Sequence, residues 1–304
     1  MISKEQKREL RHNLAGIFLE DEPLAAKTTF KTGGPAEIFI QPESRYDLLR
    51  AVKVLNRLEI EFFLLGGGSN LLIADQGIRG KAVISLSRDF QDYTLIGSDK
   101  HSVIVRAEAG VSLAALIRLG VIGGYSGLEK LIGIPGTLGG ALAMNAGAYG
   151  ATIYDKLTAL ALIRNGEMSW VAAADLNPSY RDGGLSAKDI VVAAYFHLPR
   201  KTRTEIAATV AKTRQQRRQR LPRGAHAGSI FKNPPADFAG RLLEEAGCKG
   251  MSCGGARVAA EHANVIVAAS ETTSQDIIDL MEKMQDLVKK SFDVTLEPEI
   301  RVVS

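Results

Sequence analysis

The feature that most restricts this chain is a pair of glycine-rich loops joined to apolar, strand-like sequence. Gly66, Gly67 and Gly68 follow the buried-strand pattern of Phe62 to Leu65 and run on into Ser69, Asn70 and Leu71. The second loop holds Gly133, Ile134, Pro135, Gly136, Gly139 and Gly140 and leads to Asn145, Gly147 and Ala148. Residues without a Cβ let main chain turn sharply or come close to another group. Consecutive N–H groups in such a turn make a concave site for an anion. Either run alone reads equally well as a tight turn, whereas two in tandem favour a pyrophosphate cradle. P-loop, G-x-G-x-x-G, H-E-x-x-H and G-x-S-x-G patterns are all missing from the sequence. P-loop NTPases, ordinary Rossmann enzymes, zincins and α/β-hydrolases therefore lose support.

At 304 residues the chain exceeds what one core usually serves, so two or three domains are expected. An amphipathic region spans Lys4 to Phe18, followed by a strand at Ala36 to Ile40 and a helix from Ser44, where Ser44 and Asp47 form a capping pattern. Further strands are expected at Ala82 to Leu86, Val103 to Ala107, Thr158 to Ile163 and Ile190 to Phe196, with a short helix over Leu113 to Leu119. A basic helix over Lys201 to Arg220 bridges to a third unit. That unit has a helix at Phe238 to Ala246, a strand at Asn264 to Ala268, a helix capped by Thr273 with Asp276, and a terminal strand at Glu299 to Val303. Trp170 and the Met281/Met284 stripe read as core. The expected division is a helical segment 1–27, a domain 28–199 with subdomains 28–87 and 88–199, and a C-terminal domain 200–304.

Charge is concentrated. Residues 201–223 carry eight basic side chains against Glu205 alone, a local +7, while the whole chain is only +4 and the remainder therefore −3. Such a distribution suggests one anionic partner rather than a generally basic coat. The first ten residues are charged, and no run approaches the ~18 apolar residues of a membrane span, so a cytoplasmic protein without a membrane partner is expected. Cys248 and Cys253 form a lone C-x4-C pair, a poor metal framework, and are read as reduced thiols with no metal.

Seven segments in order carry a resemblance: TFKTGGPA (29–36), GGSNL (67–71), GLEKLIGIPGTLGG (127–140), NAGA (145–148), YR (180–181), GSIFKNP (228–234) and LEPEIR (296–301). Together they resemble the bacterial UDP-N-acetylenolpyruvoylglucosamine reductases, also called UDP-N-acetylmuramate dehydrogenases, from about Thr28 to Val303. The resemblance implies an α+β fold: an FAD-binding part of the vanillyl-alcohol-oxidase type in two subdomains, and a C-terminal domain that takes the UDP-sugar. It places both glycine loops on the FAD pyrophosphate and NADPH as hydride donor. The short gap between Ser229 and Glu299 resembles the compact branch without an inserted tyrosine loop. Five positions depart from the family pattern, namely Gly183, Leu221, Ala259, Val265 and Ala268.

The implied reaction accounts for the polar residues. Hydride adds to C3 of an enolpyruvyl ether, negative charge gathers on its carboxylate and at C2, and C2 must then be protonated. Such a site needs a donor or cation at the carboxylate and an acid aimed at C2. By resemblance Ser229 is the proton donor, and Arg181 and Glu299 grip the carboxylate. Glu299 beside a like charge is expected to resist ionisation. Tyr180, Arg217, Arg220, Lys232 and Asn233 are the expected UDP-sugar contacts, a forked guanidinium suiting phosphate. Each also has a plain structural reading: Ser229 in a turn, Arg181 on an exposed loop, Glu297 instead of Glu299, and the cations as a solvated helix face. His262 is read as a structural histidine. Two rivals remain: a flavin oxidase of the same fold, which has no need of a proton donor aimed at carbon, and a nucleic-acid or acidic-partner binding protein using residues 201–223. The second leaves the glycine loops unexplained and lacks interleaved aromatics, so no nucleic-acid partner is expected. The oligomeric state is left open, a monomer included.

Overall fold

The computed structural model describes residues 1–164 and 166–304. Helices α1 (Lys4–His12) and α2 (Arg45–Arg57) accompany strands β1 (Ile17–Pro23), β2 (Pro35–Gln41), β3 (Glu61–Leu65), β4 (Leu71–Ile73) and β5 (Ile78–Ser85). Next come β6 (Tyr93–Ser98), β7 (Ser102–Glu108), α3 (Leu113–Gly123), α4 (Leu138–Ala143), β8 (Gly147–Ala148), β9 (Ala151–Thr152), β10 (Leu157–Arg164), β11 (Glu167–Ala172) and β12 (Ile190–Pro199). The last part holds α5 (Arg203–Arg220), α6 (Ala239–Glu245), β13 (Ser252–Cys253), β14 (Ala256–Val258), β15 (Ile266–Ala268), α7 (Ser274–Phe292) and β16 (Arg301–Val303). Among the described residues, no helix is long and apolar enough to cross a membrane.

The chain folds as two compact units. Unit 1 comprises Met1–Leu19, Ile38–Gly67 and Gly80–Gln216, and unit 2 comprises Glu20–Glu37, Gly68–Arg79 and Arg217–Ser304. The expected segments 1–27, 28–199 and 200–304 are contiguous, whereas unit 2 gathers three stretches far apart in sequence.

Unit 1 contains a five-stranded antiparallel sheet in the order β11-β10-β12-β7-β6 and a parallel pairing of β3 with β5, Phe62 opposite Ala82. α2 forms because Leu48, Val52 and Leu55 recur on one face and are buried there. Ser44 caps it, its hydroxyl accepting from the Asp47 N–H at 3.2 Å. The Asp47 carboxylate, buried, instead accepts from the N–H groups of Ala15 and Gly16, each at 2.9 Å, and pins the turn after α1. That turn corrects one expectation: α1 stops at His12, and Ile17 and Phe18 belong to β1. The charged run of β1 concealed a strand. Trp170 is a second correction. It is 64% exposed on the edge strand β11 and leans on Tyr195, ring centroids 4.9 Å apart, instead of lying in the core.

Unit 2 is built on α7, the three-stranded sheet β13-β14-β15 and the parallel pair β4 and β16. Thr273 and Asp276 complete a capping box at the α7 N-terminus. Ile277, Leu280, Met281, Met284 and Val288 then form its buried stripe, each worth about 1.5–3 kcal/mol of burial. The Asp75 carboxylate accepts from the N–H groups of Ser274 and Gln275 at 2.8 and 3.1 Å, fastening residues 68–79 to the first turn of α7. Two expected strands are shorter than their sequence patterns: β15 begins at Ile266 rather than Asn264, and β16 at Arg301 rather than Glu299. The residues left out have other bonds to make.

Candidate active site

In unit 1 the two glycine loops meet. A Cβ built on Gly67 would lie 2.6 Å from the Gly136 Cα, and one on Gly66 would lie 2.8 Å from the Thr137 hydroxyl oxygen. Gly136 and Gly133 have φ of +110° and +83°, a region that side chains disfavour. Beyond them Thr137 caps α4, its hydroxyl accepting from the Gly140 N–H at 3.4 Å. The N–H groups of Leu138 and Gly139 donate to the carbonyls of Val111 and Ala109. Gly139 and Gly140 thus spend their amides inside the protein, and Gly139 serves close packing, its built Cβ falling 3.1 Å from the Ala109 Cβ. Ile134 is partly buried against the unit 1 core. Pro135, which has no N–H, precedes the Gly136 turn.

The second glycine segment continues through Asn145 to Ala148. Asn145 has φ +40° and donates through Nδ2 to the Ser179 carbonyl at 2.9 Å, while its Oδ1 is buried with no protein partner. Gly147 and Ala148 form β8, paired with β9 around the left-handed residues Tyr149 and Gly150. The Gly147 carbonyl accepts from Arg181 Nη1 at 3.4 Å. Arg181 is half-buried with φ +61°, and its guanidinium lies 5.0 Å from the ring centre of Tyr180. Unit 1 therefore brings Arg181 to the end of the second glycine segment. Gly183 nearby accounts for one departure: a Cβ there would fall 2.1 Å from the Leu142 carbonyl oxygen, while its own carbonyl accepts from the Tyr154 hydroxyl at 2.7 Å. Burial, with Asp182 as a lesser cause, pushes the Tyr154 phenol up to about 12.

In unit 2, Gly68 has φ +59°, and its built Cβ would collide with the Lys27 carbonyl at 2.0 Å. The Gly68 carbonyl accepts from the Thr29 N–H, and the Thr29 hydroxyl is buried with no partner. Ser69 follows. Asn70 turns inward, its Nδ2 donating to the Glu299 carbonyl at 3.0 Å and its own carbonyl accepting from the Arg301 N–H. Leu71 is buried in β4 opposite Arg301. Of the first loop's residues, Asn70 and Leu71 are thus occupied in holding the terminal strand.

The same strand meets the segment that bears Ser229. The Glu299 N–H donates to the Ile230 carbonyl at 2.7 Å, the Lys232 N–H to the Glu297 carbonyl at 2.8 Å, and Phe231 bridges Pro298. Ser229 and Glu299 are both half-buried on these neighbouring runs, while Glu297 is exposed beside Lys232, its carboxylate 3.5 Å from Lys232 Nζ. Gly228, at φ +78°, makes the turn into Ser229. Asn233 Oδ1 accepts from the Ala239 N–H at 3.0 Å and caps α6. Arg217 is half-buried and Arg220 exposed at the end of α5. Burial, then the charges of Lys249 and Arg220, hold the half-buried His262 below the usual imidazole range. Among the other departures, Ala259, Val265 and Ala268 are buried packing positions, and Leu221 closes α5 by donating to the Arg217 carbonyl.

Sequence reasoning did not single out Thr29 in unit 2 or Tyr154 in unit 1. Thr29 had a signal in the TFKTGGPA segment, whereas Tyr154 reaches a partner, Gly183, distant in sequence.

Comparison with known proteins matches two parts of the chain. Residues 36–171 match the family model described as an FAD binding domain, and residues 219–303 match that of the UDP-N-acetylenolpyruvoylglucosamine reductase C-terminal domain. Among curated relatives, the UDP-N-acetylenolpyruvoylglucosamine reductase of Geobacter metallireducens is 40% identical over 97% of this chain and 96% of its own. That of Caldanaerobacter subterraneus is 38% identical over 95% and 94%. The crystal structure of the Thermus caldophilus enzyme of the same name superposes with a TM-score of 0.82 at 33% identity, covering 96% of this chain and all of the other.

Proposed function

The chain belongs to the UDP-N-acetylenolpyruvoylglucosamine reductase family, and from that premise we infer that Arg181, Ser229 and Glu299 carry the chemistry of its reaction. The protein is an FAD-dependent oxidoreductase that uses NADPH to reduce UDP-N-acetylglucosamine enolpyruvate to UDP-N-acetylmuramate for peptidoglycan synthesis. Its FAD-binding part has the vanillyl-alcohol-oxidase type of fold, joined to a C-terminal α+β part. A cytoplasmic location and UDP-sugar and NADPH as partners, with neither nucleic acid nor membrane, complete the reading.

The chain's own atoms suit the cofactor. The closeness of Gly67 to Gly136 leaves no room for a side chain, as a main-chain cradle for a diphosphate demands, and Asn145 Oδ1 and Thr29 Oγ1 are buried polar atoms still lacking partners. In this reading Gly66, Gly67, Gly68, Ser69, Gly133, Ile134, Pro135, Gly136, Asn145, Gly147 and Ala148 line the cofactor. Gly139, Gly140, Asn70 and Leu71 shape the lining from behind, since their polar groups or side chains are already engaged. Bound FAD, once reduced by NADPH, supplies the hydride.

Arg181 orients the enolpyruvyl carboxylate and offsets the charge that grows on it. The carboxyl group of Glu299 hydrogen-bonds the same group, and the Ser229 hydroxyl delivers its proton to C2. Arg217, Arg220 and Lys232 hold the diphosphate of the UDP-sugar, Asn233 and Tyr180 its flanking polar groups. The observation supporting this assignment is the bond from the Glu299 N–H to the carbonyl of Ile230, the residue after Ser229, which sets donor and carboxyl on adjacent runs of chain. Stopped-flow kinetics of Ser229→Ala test it. Flavin reduction by NADPH stays near normal, while reoxidation by the enolpyruvyl substrate slows by about 10² to 10⁴, the range for losing a general acid. Equal losses in both half-reactions would mean that Ser229 is only structural.

A further inference from the structure

Nothing in the reaction itself calls for Asn264, yet this side chain is almost wholly buried, with 3% of its surface exposed. Its Oδ1 accepts from the Phe231 N–H at 2.9 Å, and its Nδ2 donates to the Phe231 carbonyl at 2.8 Å. Its own carbonyl accepts from the Ile230 N–H at 3.0 Å. An amide side chain that meets both polar groups of one residue acts as a short extra strand, fixing the two peptides that flank that residue. The clamped peptides lie directly after Ser229. On the other side, the Ile230 carbonyl takes the Glu299 N–H, and Phe231 bridges Pro298. The run bearing the hydroxyl is therefore held from two directions, by main chain near Glu299 and by the Asn264 amide.

We propose that Asn264 is a positioning residue for the proton transfer: through its two bonds to Phe231 it sets where the Ser229 hydroxyl points relative to the Glu299 carboxyl. The proposal rests on the assignment of Ser229 as proton donor. Asn264 itself is 33 residues from Phe231 and touches neither substrate nor cofactor in this scheme. Its local support is the bond from its N–H to His262 Nδ1 at 3.2 Å, which requires that ring nitrogen to be unprotonated. A group held by two bonds of good geometry loses its aim when both are removed, even if the fold survives. A displacement of about 1 Å at a reacting group costs on the order of 10²-fold in rate.

Asn264→Leu is the direct test, since leucine nearly matches the shape of asparagine and leaves both Phe231 groups without the partners they have in the side chain. Asn264→Asp, which keeps an acceptor for the Phe231 N–H, is the milder second variant. Hydrogen exchange followed residue by residue should show the Phe231 amide exchanging at least about tenfold faster in Asn264→Leu, the equivalent of losing one buried bond. In the same purified, flavin-loaded protein, reduction by NADPH should be unchanged and reoxidation by the enolpyruvyl substrate should slow by about 10- to 10²-fold. Asn264→Asp should fall between Asn264→Leu and the unaltered enzyme in both measurements. Faster Phe231 exchange with normal reoxidation, while Ser229→Ala is impaired, overturns the positioning role and leaves the donor assignment intact. Normal reoxidation in Ser229→Ala overturns the donor assignment itself. Should Asn264→Leu not fold, Asn264→Asp with full-rate reoxidation and accelerated Phe231 exchange rejects the proposal.

Discussion

The glycine loops of unit 1 and the Ser229 run of unit 2 are both irregular backbone, and they are held by opposite means. Around Gly67 and Gly136 the structure depends on atoms that are missing: two stretches of main chain lie so close that a single Cβ would push them apart. Around Ser229 it depends on atoms brought in from far along the chain, the Asn264 amide to Phe231 and the Asn70 amide to the Glu299 carbonyl. The difference fits the two tasks proposed for them. A diphosphate is gripped by main chain that approaches closely, whereas a proton donor must be aimed, and polar clamps aim better than a glycine can.

The most damaging way to break this contrast is Gly136→Val. A branched side chain at φ +110° against Gly67 should abolish flavin binding, read as loss of the visible flavin absorbance in protein whose circular dichroism remains native-like. Full flavin content in a folded variant would refute the cradle. A smaller effect is expected where charge rather than space is at stake. Arg217→Ala and Arg220→Ala should each raise the KM for the UDP-sugar by about 10- to 10²-fold, the worth of one charge-assisted bond, with flavin reduction by NADPH unaffected. Salt-sensitive nucleic-acid binding that falls by one unit of slope per arginine removed, with UDP-sugar kinetics unchanged, would move these residues to another partner.

The smallest effect sharpens the comparison from the side of the polar clamp. His262 is held below its unfolded value by burial and by Lys249 and Arg220, so the unfolded chain binds a proton first as pH falls. The stability it contributes is complete above about pH 6.5 and is lost as pH drops through the folded value. The melting temperature should therefore decline on acidification below that pH, and His262→Gln should flatten the decline. An unchanged slope in the variant would show that His262 does not report on this region. No such titration is expected from the glycine loops.

Much of this was legible in the sequence, for reasons that differ by element. The capped helices were visible because Ser44 and Thr273 stand before apolar residues at helical spacing; of the expected stripe Ile277, Ile278, Met281, Met284 and Leu287, Ile277, Met281 and Met284 are buried, and Ile278 and Leu287 pack partly buried against the same core. β1 was hidden because its sequence, IFLEDEP, is half-exposed and acidic, and so joined the amphipathic stretch before it. Trp170 was misread because a large aromatic usually lies inside, whereas an edge strand can lay it across the outer face against Tyr195. Short loop motifs located the glycines, since close approach depends on residue type alone. Asn264 was unreadable as a clamp because the identity of its partner is decided only when residues 230 and 264 come together.

The composition of unit 2 also dictates when the enzyme can exist during synthesis. Residues 20–37 and 68–79 leave the ribosome early, but their neighbours in the unit, residues 217–304, are translated only after the whole of unit 1. Leu71 must wait some 230 codons for Arg301, and Asn70 as long for the Glu299 carbonyl. At about 5–20 residues per second this interval is on the order of 10 to 50 seconds. Through it the apolar side chains of Phe30 and Leu72 have no core to enter, although both are fully buried at the end. Pairings of such long sequence separation are slow to close in any case. The nascent chain is thus most exposed to aggregation between the completion of unit 1 and the arrival of its last strand, the interval in which a chaperone would have the most to protect.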